Sequence, residues 1–85
     1  MPTSPNQHDP RRVDKWEQRR RAVGQNIRRV RTERGLTQER LAEYCGVDRT
    51  LLVAVESGRR GLLYERLFDI ADALEVSVAE LVRNA

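Results

Sequence analysis

From residue 13 onward, apolar residues recur at steps of three and four rather than two. Val13, Trp16, Val23, Ile27 and Val30 fall at intervals of three, seven, four and three, and Arg20 occupies the position that the long step leaves open. That spacing places them on one face of a long helix, or of two helices meeting near Gly24. Asp9 followed by Pro10 suits its start, a capping side chain and then a residue preset for the first turn. Leu41, Ala42 and Cys45 mark the inward face of a second helix over 38–45, and Leu52 and Val55 that of a third over 49–57. Leu67, Phe68, Ile70, Ala71 and Leu74 predict a fourth over 63–74 with all five side chains inward. Val78, Leu81 and Val82 predict a short fifth. No strand signal exceeds the helical one, so the expected class is all-α.

The junctions carry as much information as the helices. Gly35 suits the left-handed residue that follows a helix end, and Thr37 suits an N-cap whose hydroxyl accepts from free amides. Gly46 can take the positive φ of a sharp inter-helix turn. Val47 plugs the junction, and Asp48 caps the next helix with a charge suited to its positive end. Gly58 ends that helix. Ser77 and Glu80 have the spacing of a capping box. Two short helices joined by a tight glycine turn are the layout of a helix-turn-helix, whose second helix enters the DNA major groove.

The order Gly35-Leu36-Thr37-Gln38, Leu41-Ala42, Gly46-Val47, Glu56-x-Gly58, Leu67-x-x-Ile70-Ala71-x-Ala73-Leu74 and Val76-Ser77-x-x-Glu80-Leu81 resembles the Cro/C1-type (XRE) helix-turn-helix family of small bacterial and phage regulators. Each piece alone is weak, and the ordered set is specific. The resemblance spans 23–82 and implies a five-helix, lambda-repressor-like DNA-binding domain. Residues 83–85 then form a C-terminal tail, and residues 10–22 a basic helical extension outside the shared pattern. The extension's Val13/Trp16 pair needs a partner surface: this domain's own core, a second subunit, or DNA. Two departures stand out. Leu62 and Leu63 replace the family's proline and small polar cap before helix four, and Glu75 replaces a small turn residue after it. Leu62, Leu63 and Tyr64 in succession are either extra core or an interface patch.

The resemblance also assigns roles. Gln38 binds a phosphate and braces the recognition helix. Arg49, Thr50, Val53 and Ala54 face the groove. Arg49 is the strongest base reader, because a guanidinium can bond guanine O6 and N7 together. Thr50 offers a hydroxyl, and Val53 and Ala54 offer only contact with thymine methyls. This is a thin reading set, and Leu51 adds an apolar residue where relatives often carry a polar one. Ser57, Arg59 and Arg60, with the Gly58 amide, form a phosphate clamp. Glu56 pairs with Arg31 beneath the turn as a structural ion pair. Breaking that pair costs about 3–5 kcal/mol if it is buried, and under about 1 kcal/mol if it is exposed. Arg28 and Arg29 sit outward on helix one, as solvated charge or as additional DNA contacts.

Charge agrees with a nucleic-acid partner without proving one. The net charge is +3, but residues 1–34 hold ten Lys/Arg against four Asp/Glu, whereas residues 61–85 hold two against five. The basic half suits phosphates and the acidic half is repelled by them, although a charged run is also an ordinary solvated helix face. Eighty-five residues allow one small domain that often gains stability by pairing. No apolar run approaches the roughly 18 residues of a membrane span, and no apolar signal segment follows Met1. A cytoplasmic protein without membrane contact is expected. Residues 1–9 read as a disordered tail. His8 lies in it without a second ligand nearby, so no metal or other cofactor is expected. Cys45, the single cysteine, reads as a small buried hydrophobe. Nothing assembles a nucleophile, a base and a pocket, so catalysis is not expected.

Two functions remain. The first is a sequence-specific, double-stranded-DNA-binding transcriptional regulator acting as a homodimer. The second is an antitoxin or protein-binding adaptor on the same fold, using the apolar surface of Leu51, Val53, Leu62, Leu63 and Trp16 against a protein partner.

Overall fold

The structure is a computed structural model that describes residues 9–85. The expected tail over 1–9, with His8, lies outside the described residues apart from Asp9. Asp9 Oδ1 accepts from the Arg11 amide at 3.0 Å and opens helix α1 (Pro10–Glu33). Four helices follow: α2 (Gln38–Cys45), α3 (Arg49–Glu56), α4 (Tyr64–Leu74) and α5 (Val78–Leu81). Thr37 and Asp48 cap α2 and α3 through their side chains, as their positions predict. Gly46 sits at φ +68 and turns the chain between them, a conformation that costs most L-residues 1–2 kcal/mol.

The core is one cluster. Ile27 and Val30 of α1, Leu41, Ala42 and Cys45 of α2, and Leu52 and Val55 of α3 meet Ile70, Ala71, Leu74 and Leu81. Helix α3 packs on α1 and α2, α4 on α2 and α5, and α5 on α1. Burial raises the Cys45 thiol pKa, desolvation being the largest cause, and Sγ donates to the Leu41 carbonyl at 3.0 Å. That thiol is packed as a hydrophobe.

Four details refine the sequence expectation: the first decides the open choice for α1 in favour of a single helix, and the other three differ from what was expected. First, α1 is one unbroken helix of 24 residues, about 36 Å long. Gly24 is no hinge. It lies buried in mid-helix because the backbone of α3 crosses there: a Cβ would collide with the carbonyl oxygens of Val55 and Glu56. Second, Phe68 faces outward at 52% exposure. The buried stripe of α4 is Leu67, Ile70, Ala71 and Leu74, and Phe68 lies about 100° round the helix from Leu67. Third, Val82 follows the end of α5 and is exposed, leaving Val78 and Leu81 inward. Fourth, the Ser77–Glu80 capping box does not form. Ser77 makes no side-chain cap bond, and the Glu80 carboxylate that would complete the box turns to Arg29 at 3.2 Å and Arg83 at 3.5 Å.

The Leu62–Tyr64 run divides. Leu62 packs against the core, while Leu63 and Tyr64 are 72% and 69% exposed. Leu63 takes the N-cap position of α4 without a side-chain bond. The Tyr64 and Phe68 rings meet edge to face at 6.4 Å.

Two stability changes follow. Gly24→Ala should lower the unfolding free energy by at least about 2 kcal/mol, as overpacking a rigid crossing does, measured by urea denaturation. Glu75 ends α4 at φ +59. Glu75→Gly should raise stability by about 0.5–1 kcal/mol, strain relief outweighing the added freedom of the unfolded chain, read from the same titration.

Candidate nucleic-acid interface

The outer face of α3 is fixed from beneath. Glu56, at the last turn of α3, has a side chain only 3% exposed, and that of Arg31 on α1 is 12% exposed. The two are bidentate: Arg31 Nε donates to Glu56 Oε2 at 2.7 Å and Nη2 to Oε1 at 2.9 Å. Arg31 Nη1 donates to the Leu36 carbonyl at 2.8 Å, and Gln38 Nε2 donates to Glu56 Oε1 at 3.1 Å. One carboxylate thus joins α1, the turn before α2, the start of α2 and the end of α3. The pair is the buried case of the two alternatives, so its partners are mutually dependent. Gln38 is engaged as the brace, and its amide keeps one further N–H.

On the opposite face of α3, Arg49 and Thr50 are exposed and Val53 and Ala54 half-buried. With Arg59 these residues line a concavity of about 260 Å³. Asp48 Oδ1 accepts from the Thr50 amide at 3.1 Å and so sets the first turn that carries Arg49. Ser57 Oγ donates to the Ala54 carbonyl at 3.0 Å and accepts from Arg59 Nε at 3.0 Å, which holds the Arg59 guanidinium beside this face. Leu51 packs against the core and leaves the outer face to the others.

The expected phosphate clamp forms only in part. The Gly58 amide already donates to the Val55 carbonyl at 3.0 Å, because it closes the last turn of α3. Arg60 diverges from Arg59 and lines a different groove, with Arg19, Arg20 and Leu62. Arg29 is committed to Glu33 and Glu80, tying α1 to α5, while Arg28 stays exposed.

One structural residue was missed from the sequence. Asn26 Nδ2 donates to the carbonyls of Leu81 at 3.0 Å and Arg83 at 2.8 Å, satisfying the end of α5. Its only signal was a polar residue beside Ile27 on the helix that α5 packs against.

Arg31→Leu should cost about 3–5 kcal/mol of stability by stranding the Glu56 carboxylate. Glu56→Gln, which keeps an acceptor and removes the stranded charge, should cost less. Paired chemical melts of the two variants test the ranking.

Residues 27–81 match the helix-turn-helix family HTH_3. An HTH-type transcriptional regulator of Sinorhizobium fredii is 43% identical over 63 residues, 74% of this chain and 82% of its own length. Control protein C.SmaI of Serratia marcescens is 37% identical over 60 residues, 71% of each chain. Among solved structures, the restriction-modification controller protein C.AhdI of Aeromonas hydrophila superposes with TM-score 0.71 at 37% identity, covering 73% of this chain and 94% of its own. The hypothetical transcription factor NHTF from Neisseria superposes with TM-score 0.73 at 32% identity, covering 96% of this chain and 85% of its own. The braced second helix of the turn and these matches agree: the chain belongs to the HTH_3 (Cro/C1-type) helix-turn-helix family of DNA-binding, non-enzymatic transcriptional regulators.

Proposed function

We propose that this chain acts as a homodimer, in the cytoplasm, and reads a near-palindromic operator with α3 laid in the major groove. The observation that carries this reading is the exposed α3 face, with Arg49, Thr50 and Arg59 on one side and the Arg31–Glu56–Gln38 brace locking the other. A rigid helix presents its reading atoms without an ordering cost at the moment of binding. Arg49 is the base reader, bidentate to a guanine. Thr50 adds a hydroxyl, and Val53 and Ala54 admit only a thymine methyl. Arg59, oriented by Ser57, takes a backbone phosphate, and the second amide N–H of Gln38 takes another. With so few hydrogen-bonding readers, part of the specificity comes from DNA shape between the half-sites. Two copies would place their recognition helices about 34 Å apart, one turn of the duplex.

Selection from a random duplex pool should return a two-fold consensus with half-sites about 10 base pairs apart. Arg49→Ala should weaken consensus binding by about tenfold or more while leaving non-specific binding nearly unchanged. Equal loss on both would reduce Arg49 to a phosphate contact. No consensus, with binding abolished by salt, would remove the operator-reading function.

A further inference from the structure

The first turns of α1 lie outside the segment that matches the family and carry an apolar, basic face. Arg12, Trp16 and Arg20 fall at i, i+4 and i+8. The Arg12 guanidinium lies over the Trp16 ring, 5.2 Å from its centre. Among the described residues, the depression beside that ring is lined by 9–19 alone, with no contribution from α2 to α5. It shares Arg19 with the groove of about 220 Å³ that runs between α1 and Leu62 and Leu67. The Nε–H groups of Arg12 and Arg20 are buried with no acceptor among the described residues. A buried donor without a partner is costly, so both guanidiniums gain if their side chains turn outward to meet an acceptor.

The opposite character appears on α4. Glu65, Phe68 and Asp72 fall at i, i+3 and i+7 on its exposed face, beside Tyr64. Neither Glu65 nor Asp72 is in an ion pair among the described residues. The two faces match in order and spacing: cation–aromatic–cation over about 12 Å of α1, and anion–aromatic–anion over about 10.5 Å of α4.

We infer that the α1 overhang docks on the exposed face of α4 in a second copy of this chain, Trp16 against Phe68, with Arg12 and Arg20 facing Asp72 and Glu65. The contact is reciprocal, since each copy supplies one overhang and one α4 face, and a two-fold axis repeats it. Like charges set face to face would disfavour the overhang–overhang alternative, so charge selects the pairing. This inference rests on the homodimer reading above and names its surface.

The test uses the full chain. Sedimentation equilibrium gives the dimer constant, and Trp16, the single tryptophan, reports its own burial by emission. Dilution into the monomer range should shift that emission to the red. Arg12→Glu and Asp72→Arg should each weaken the dimer by about tenfold or more, and the double reversal should recover most of the loss. Circular dichroism should show unchanged helix content in all three. A dimer whose Trp16 emission stays constant on dissociation, with no effect of either reversal, would overturn the inference and leave the homodimer reading intact. An emission change seen only on adding duplex would assign the overhang to phosphates and also overturn it. A monomer at every concentration, with and without duplex, would remove both.

Discussion

Everything that presents α3 to its partner depends on one buried carboxylate. Glu56 belongs to the helix whose outer face we propose as the reading surface, yet its side chain turns inward and is held by two nitrogens of Arg31 and one of Gln38. A buried ion pair is seldom a net gain over well-packed apolar side chains. Its value here is directional. Apolar packing alone would let α3 slide or roll on α1 at small cost, whereas a bidentate pair fixes both angle and register. The bond from Arg31 to the Leu36 carbonyl extends that fixing to the loop between α1 and α2.

Gly24 works with this pair. The close backbone crossing it permits brings α3 onto α1 about two turns from where Glu56 must meet Arg31. A side chain at 24 would lift α3 away and lengthen charge-assisted bonds of 2.7 and 2.9 Å. Backbone approach and ion pair are therefore one device, contributed by residues seven positions apart on the same helix.

Much of this was legible in the sequence because it is local. The caps at Asp9, Thr37 and Asp48 and the turn at Gly46 are decided by residues within a few positions of one another, and the structure has them as read. The Arg31–Glu56 pair was legible only through family resemblance, since nothing local joins positions 25 apart. What was not legible is tertiary. Gly24 left a helix junction open beside one long helix, because only the crossing of α3 explains a glycine there. Phe68 looked inward because periodicity tolerates a wide stripe, and only the narrow contact of α4 with the core excludes it. Ser77 and Glu80 have capping-box spacing, but Arg29, 51 positions before Glu80, competes for the same carboxylate. The DNA-contact roles of Arg49, Thr50, Val53 and Ala54 were read by position, and the structure adds their shared concavity with Arg59. It separates Arg60 from that group, a divergence no adjacent-residue pattern signals.

The unbroken course of α1 has a mechanical consequence. With α3 clamped at Gly24 and Arg31, the helix behaves as a stiff lever whose fulcrum lies two-thirds of the way along it. Arg12, near the other end and twelve residues from Gly24, stands about 18 Å from the fulcrum. A ten-degree rocking of the recognition helix would carry Arg12 through about 3 Å. Strain imposed on α3 by a badly fitting duplex would thus be felt at the first turn of α1 as a displacement as large as a hydrogen bond is long.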